Sequence, residues 1–144
     1  MKKKMVLDVV FVVLFVLQGQ AVFAQSNNFN PRIESIVIDI NGKLENVTDR
    51  VIPVAGINIE TGLFTIMIMF KDGSDITYQF TDASLERDGS WALGNGTRIN
   101  SSTGRNFPGN YWGGIGSTPL GGGRSIQIYN DRGKPVLGMA VTGL

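Results

Sequence analysis

The chain has 144 residues, with 13 Lys plus Arg, 12 Asp plus Glu, and neither His nor Cys. Without imidazole or thiol there is no His base, no thiolate nucleophile, no disulfide framework and no ordinary Cys/His zinc site. The length fits a single domain.

Lys2, Lys3 and Lys4 precede an apolar stretch from Met5 to Leu17, and Val22-Phe23-Ala24 places small residues ahead of Gln25. This is the pattern of a secretory signal peptide over residues 1–24, which predicts an exported protein, secreted or periplasmic. Thirteen residues interrupted by Asp8 are too few to span roughly 30 Å of hydrocarbon, so no integral membrane segment is expected after cleavage. Removing residues 1–24 takes away three Lys and one Asp and leaves ten basic and eleven acidic groups. Such a balance gives no footprint for nucleic acid or for an anionic membrane surface.

Residues 25–144 then read as one exported all-β domain, since the apolar segments alternate with period two and none carries a helical stripe. After a polar lead-in from Gln25 to Pro31, Ile36, Ile38 and Ile40 share one face and Val37 and Asp39 the other, with Asn41-Gly42 as a hairpin turn. Leu44 to Val54 is expected to return as one or two short strands, with Pro53 at an edge or strand end. From Leu63 to Phe70, one face is Phe64, Ile66, Ile68 and Phe70, and the other carries Thr65, Met67 and Met69. Apolar residues on both faces predict a strand covered on both sides, at the centre of an antiparallel sandwich or a prism-like barrel.

Asp72-Gly73 turns this strand back into Ile76, Tyr78 and Phe80, which alternate with Thr77 and Gln79. Thr81 to Arg87 can hold one capped helical turn. Eleven of the 35 residues from Gly89 to Gly123 are Gly, so this region is predicted to be long loops with short strands at Trp91–Leu93 and Arg98–Asn100. Ser125 to Tyr129, a turn over Asn130-Asp131-Arg132-Gly133, and Val136 to Val141 complete the chain.

Four of the ten aromatics after residue 24 sit in the Gly-rich region: Trp91, Phe107, Tyr111 and Trp112. A ring presents a flat apolar face to the C–H face of a sugar, and amides and carboxylates bond its hydroxyls. Those four residues with Asn110 and Asp131 are therefore the candidate ligand-binding set. The alternative is that the two Trp fold back to plug the end of the domain. Asp72, Asp75, Asp82, Glu86 and Asp88 form the densest run of carboxylates. Asp72 and Asp75 are candidate calcium ligands, although the spacing matches no calcium loop and a solvated turn is the preferred reading, since turns select Asp and Gly on conformational grounds. Asn46, Asn95 and Asn100 begin Asn-x-Ser/Thr sequons.

Ile33, Ile36, Ile38 and Ile40 followed by Asn41-Gly42 and Leu44 resemble the early strand pair of the jacalin-related lectins, a family of β-prism sugar binders. The segment from Gly123 through Gly133 to Val136, Met139 and Val141 is similar in spacing to that family's C-terminal hairpin. The resemblance covers about a quarter of the chain. It implies sugar binding through a Gly-x-x-x-Asp loop, but Gly133-Lys134-Pro135-Val136-Leu137 has Leu137 where the carboxylate belongs, and a leucine accepts no hydroxyl bond.

These features predict a non-catalytic module with a glycan or another cell-surface ligand as partner and no required cofactor. Two alternatives stand beside it: a structural surface or matrix protein that forms homo-oligomers, and a small hydrolase using a carboxylate pair.

Overall fold

A computed structural model of the chain describes residues 27–100, 105–117 and 122–144, with the backbone alone for 105–109. The expected signal segment 1–24 lies outside the described residues. Ten strands follow one another: β1 Asn27–Phe29, β2 Arg32–Ile40, β3 Lys43–Asn46, β4 Gly56–Glu60, β5 Leu63–Met69, β6 Asp75–Leu85, β7 Trp91–Asn100, β8 Arg105–Ser117, β9 Arg124–Tyr129 and β10 Pro135–Thr142. A 3-10 turn, Thr48–Arg50, follows β3.

All the strands belong to one antiparallel sheet in the order β1-β4-β5-β6-β7-β8-β9-β10-β2-β3. The two ends of this series meet, because β1 and β2 are halves of one stretch broken only at Asn30 and Pro31. Arg32 is bridged to Val54 on one side and paired with Thr142 on the other. Two further backbone bonds seal the seam, Ile33 N to Pro53 O and Ala55 N to Pro31 O, both 3.0 Å. The all-β fold is thus a closed barrel built from one sheet rather than two packed sheets.

Closure explains where the sequence pattern and the structure part. A closed sheet has one covered face, its lumen, so Phe64, Ile66 and Ile68 are buried while Met67 and Met69 lie on the outer wall, 36% and 43% exposed. The covered second face expected for β5 does not exist. A barrel of about eight staves is just wide enough for side chains to fill its interior. Here that filling is made by alternate residues of every stave, including Ile36, Tyr78, Phe80, Ile126, Ile128 and Leu137.

Two other expectations change. Thr81 to Leu85 continues β6 as strand, and Asp88-Gly89-Ser90 forms the turn into β7. The Gly-rich region is no loop over its described length, since β7 and β8 are two of the longest staves and pair with each other. At two of these positions Gly is required because neighbouring groups leave no room for a side chain. A Cβ on Gly96 would come within 2.6 Å of Phe80 ring carbons, and one on Gly113 would meet the Gln127 carbonyl oxygen. Asn95, with φ of 53°, marks a bulge on β7 that lets Leu93 and Gly96 both face the lumen.

Candidate functional site

The staves place chemistry at two locations. The first is the barrel mouth formed by the ends of β2, β5, β7 and β9 and the beginnings of β6 and β10. A cavity of about 560 Å³ opens there, with Arg98, Asn100 and Tyr111 on its β7–β8 wall and Phe70, Ile76 and Val136 among its apolar lining. Arg98 occupies a lumen-facing position of β7, four staves from β2 in either direction around the ring. Its guanidinium crosses the lumen, and Nη1 and Nη2 both donate to the Asp39 carbonyl oxygen on β2 at 3.2 Å. Its Nε donates to Asn100 Oδ1 at 3.2 Å, and its Cζ lies 5.9 Å from the centroid of the Tyr78 ring. The Tyr111 ring meets Tyr78 edge-on at 5.6 Å. Burial pushes the Tyr78 phenol far above its ordinary pKa and raises that of Tyr111 in the same direction, so both are neutral donors at physiological pH.

The rim of this mouth carries the carboxylates. Asp39 Oδ1 accepts from Gly42 N at 2.7 Å. Asp72 Oδ1 accepts from both Ser74 N at 2.9 Å and Ser74 Oγ at 2.6 Å, and these bonds hold its pKa below the usual carboxylate range. Among the described residues, no three His, Cys, Asp or Glu groups converge as a metal site, and Asp72 is occupied in shaping its own turn.

The second location is the outer wall of β8 and β9. Strand register sets Trp112 opposite Tyr129, Gly114 opposite Gln127 and Gly116 opposite Ser125, all facing outward between the buried Ile115, Ile126 and Ile128. The Trp112 and Tyr129 rings stack with centroids 4.6 Å apart and planes 23° from parallel. Trp112 Nε1 donates to the Asn130 carbonyl at 3.1 Å, and the Tyr129 hydroxyl donates to Gln127 Oε1 at 2.6 Å. These bonds fix the ring edges and leave Trp112 46% exposed. Beside the rings, Gly114 and Gly116 floor an open groove of about 470 Å³ that runs towards Ser90 and Trp91 and, among the described residues, has no charged residue in its lining.

The candidate set read from the sequence is therefore divided among several places. Trp112 stands on the outer wall, whereas the adjacent Tyr111 faces the mouth, because successive residues of a strand point to opposite faces. Trp91 turns inward and packs on Phe64 at 5.2 Å, so the plug role falls to it and the exposed platform to Trp112. Asn110 is exposed on β8, and Asp131 is exposed in the β9–β10 turn. Phe107 lies on β8, and its side chain is outside the described residues. The sequence does not mark Arg98, Gln127 or Tyr129 as site residues, and it marks Asn100 only as a sequon. The one available signal was an Arg at a lumen position, which the bulge at Asn95 obscured.

No helix among the described residues is long and apolar enough to cross a membrane. Comparison with protein-family models, curated proteins and solved structures finds no match to this chain.

Proposed function

We propose that this protein is an exported, non-catalytic binding module that takes a neutral glycan on its outer groove. The observation that carries this reading is the stacked Trp112–Tyr129 pair beside a glycine floor, in a groove whose polar groups among the described residues are uncharged. An exposed ring gives a sugar ring an apolar face, and the Gln127 amide and the hydroxyls of Ser117 and Ser125 offer bonds to sugar hydroxyls without selecting for charge. The β9–β10 turn that would bind sugar by analogy with the jacalin-related lectins has no part in this reading, since Leu137 is buried in the barrel.

A glycan-array screen of the purified protein, run with calcium and again with a chelator, tests it. Selective binding that disappears in Trp112→Ala supports the reading, and the chelator arm reports whether a metal is needed. A blank array, or binding that Trp112→Ala leaves intact, rejects it.

Self-association is the second reading, favoured by an apolar strip on the outer wall. Ile52, Val54, Met67 and Met69 are all exposed, and Ile52 N bonds Met69 O at 2.8 Å. Light scattering across a concentration series would show a dimer that Met69→Lys dissociates.

A further inference from the structure

The outer groove has a length and a width as well as a lining. Gly114 lies opposite Gln127 and Gly116 opposite Ser125, so the floor has no side chain on β8 while β9 raises polar groups beside it. On the other flank stand Ser90 and Trp91, and β7 and β9 are two strand spacings apart, about 10 Å. A Cβ on Gly116 would meet nothing within 4 Å, so the space over that part of the floor is open. From Trp112 to Ser117 the floor follows β8 for about 16 Å at the rise of a strand. That length exceeds a single pyranose ring, and that width admits one file of rings.

The Tyr129–Gln127 bond gives the β9 flank a fixed polarity. The phenol proton goes to Gln127 Oε1 at 2.6 Å, which leaves the phenol oxygen as an acceptor and the amide Nε2 as a donor to a ligand. A neighbouring acceptor and donor match two adjacent hydroxyls, one giving its proton and the next receiving one. The exposed Trp112 ring takes an apolar C–H face, which is broadest in a pyranose whose substituents are all equatorial. Equatorial β-linkage also draws such residues into an extended ribbon, the form that fits a floor laid along one strand, whereas α-linkage of the starch type curls the chain.

With the outer groove as a glycan site, as proposed above, we infer that it takes several consecutive residues of an uncharged, extended β-linked glucan chain of the cellulose type. One residue lies on Trp112, and those that follow lie along Gly114 and Gly116 beside Gln127 and Ser125.

The test is isothermal titration calorimetry of the full protein with glucose, cellobiose, cellotetraose, cellohexaose and maltohexaose. Cellotetraose is expected to bind about tenfold or more tighter than glucose, since each further residue on the floor adds hydrogen bonds. Cellohexaose is expected to gain little over cellotetraose, because the floor is then full. Gly116→Val puts a branched side chain over the floor and is expected to remove the gain from cellobiose to cellotetraose. Equal affinity along the series, or a Gly116→Val protein that keeps the gain, overturns the chain along the floor. The series is measured on the unaltered protein, so it decides the question even if Gly116→Val does not fold. Maltohexaose bound as tightly as cellohexaose overturns the extended form. Absence of cello-oligosaccharide binding beside Trp112-dependent binding of another neutral glycan on the array rejects the cellulose-type chain alone. A blank array with no calorimetric binding rejects the outer-groove reading as well.

Discussion

Arg98 and Asp39 sit on opposite walls of the barrel, yet both terminal nitrogens of the Arg98 guanidinium lie 3.2 Å from the Asp39 carbonyl oxygen. This contact ties β7 to β2 across the lumen, at the level where the apolar filling ends and the mouth begins. Below it, Tyr78 and Phe80 close the interior.

That link gives a stability prediction. Arg98→Ala removes the guanidinium that the Asp39 carbonyl bonds across the lumen, and the loss of a hydrogen bond to a charged group costs about 1–3 kcal/mol. Urea unfolding should show the loss as a lower midpoint. Arg98→Lys should recover part of it, since one ammonium can reach the carbonyl but cannot also serve Asn100 in the fork geometry. An unchanged midpoint in Arg98→Ala would show that the cross-lumen bond adds nothing to the fold.

The glycines of β8 divide into two kinds. Gly113→Ala drives a methyl group onto the Gln127 backbone, which cannot move aside, and should destabilise by about 1–3 kcal/mol, as overpacking does. Gly116→Ala adds a methyl with nothing within 4 Å and should leave the unfolding midpoint unchanged. Because Gly116 floors the outer groove, the same variant should weaken any ligand that lies there. Paired measurements of stability and binding on the two variants separate these roles.

The two tryptophans should differ as fluorophores. Trp112 is 46% exposed on the outer wall, whereas Trp91 packs inward on Phe64. In Trp91→Phe the remaining emission should be strongly quenched by iodide, and in Trp112→Phe it should be shifted to the blue and quenched less. Equal quenching in both variants would contradict the inward packing of Trp91.

The Asp-Gly-Ser turns at 72–74 and 88–90 predict a pH dependence. Asp72 and Asp88 each accept from the amide and hydroxyl of the Ser two residues on, and both carboxyls are held below their ordinary pKa. A carboxyl whose pKa is depressed on folding stabilises the fold above its unfolded pKa, and this contribution disappears as pH falls through the folded value. NMR titration should place both midpoints below that of an unperturbed Asp. Ser74→Ala should raise the Asp72 midpoint and leave that of Asp88 in place. An Asp72 midpoint that does not respond to Ser74→Ala would show that its hydroxyl bond is not maintained in solution.

The sequence was most legible where a strand repeats with strict period two. Phe64, Ile66 and Ile68 against Ile76, Tyr78 and Phe80 announced a hairpin, and the register pairs Phe64 with Phe80 and Ile68 with Ile76. The turns at Asn41-Gly42 and Asp72-Gly73 were equally readable, because positive φ selects Asn and Gly on local grounds. The Gly-rich region misled for the opposite reason. At Gly96 and Gly113 the residue is chosen by the approach of Phe80 and the Gln127 backbone from elsewhere in the chain, and composition alone resembles a loop.

By itself, then, the sequence determined that the chain is all-β and which residues form the apolar alternation, because these follow from side-chain periodicity and from backbone preferences a few residues long. Only the tertiary structure decided that one sheet closes on itself through Arg32, leaving Met67 and Met69 outside. It alone set Tyr111 and Trp112 on opposite faces of the barrel wall and brought Arg98 to Asp39, 59 residues away. Those outcomes depend on strand order, register and bulges, which are fixed by contacts between distant segments.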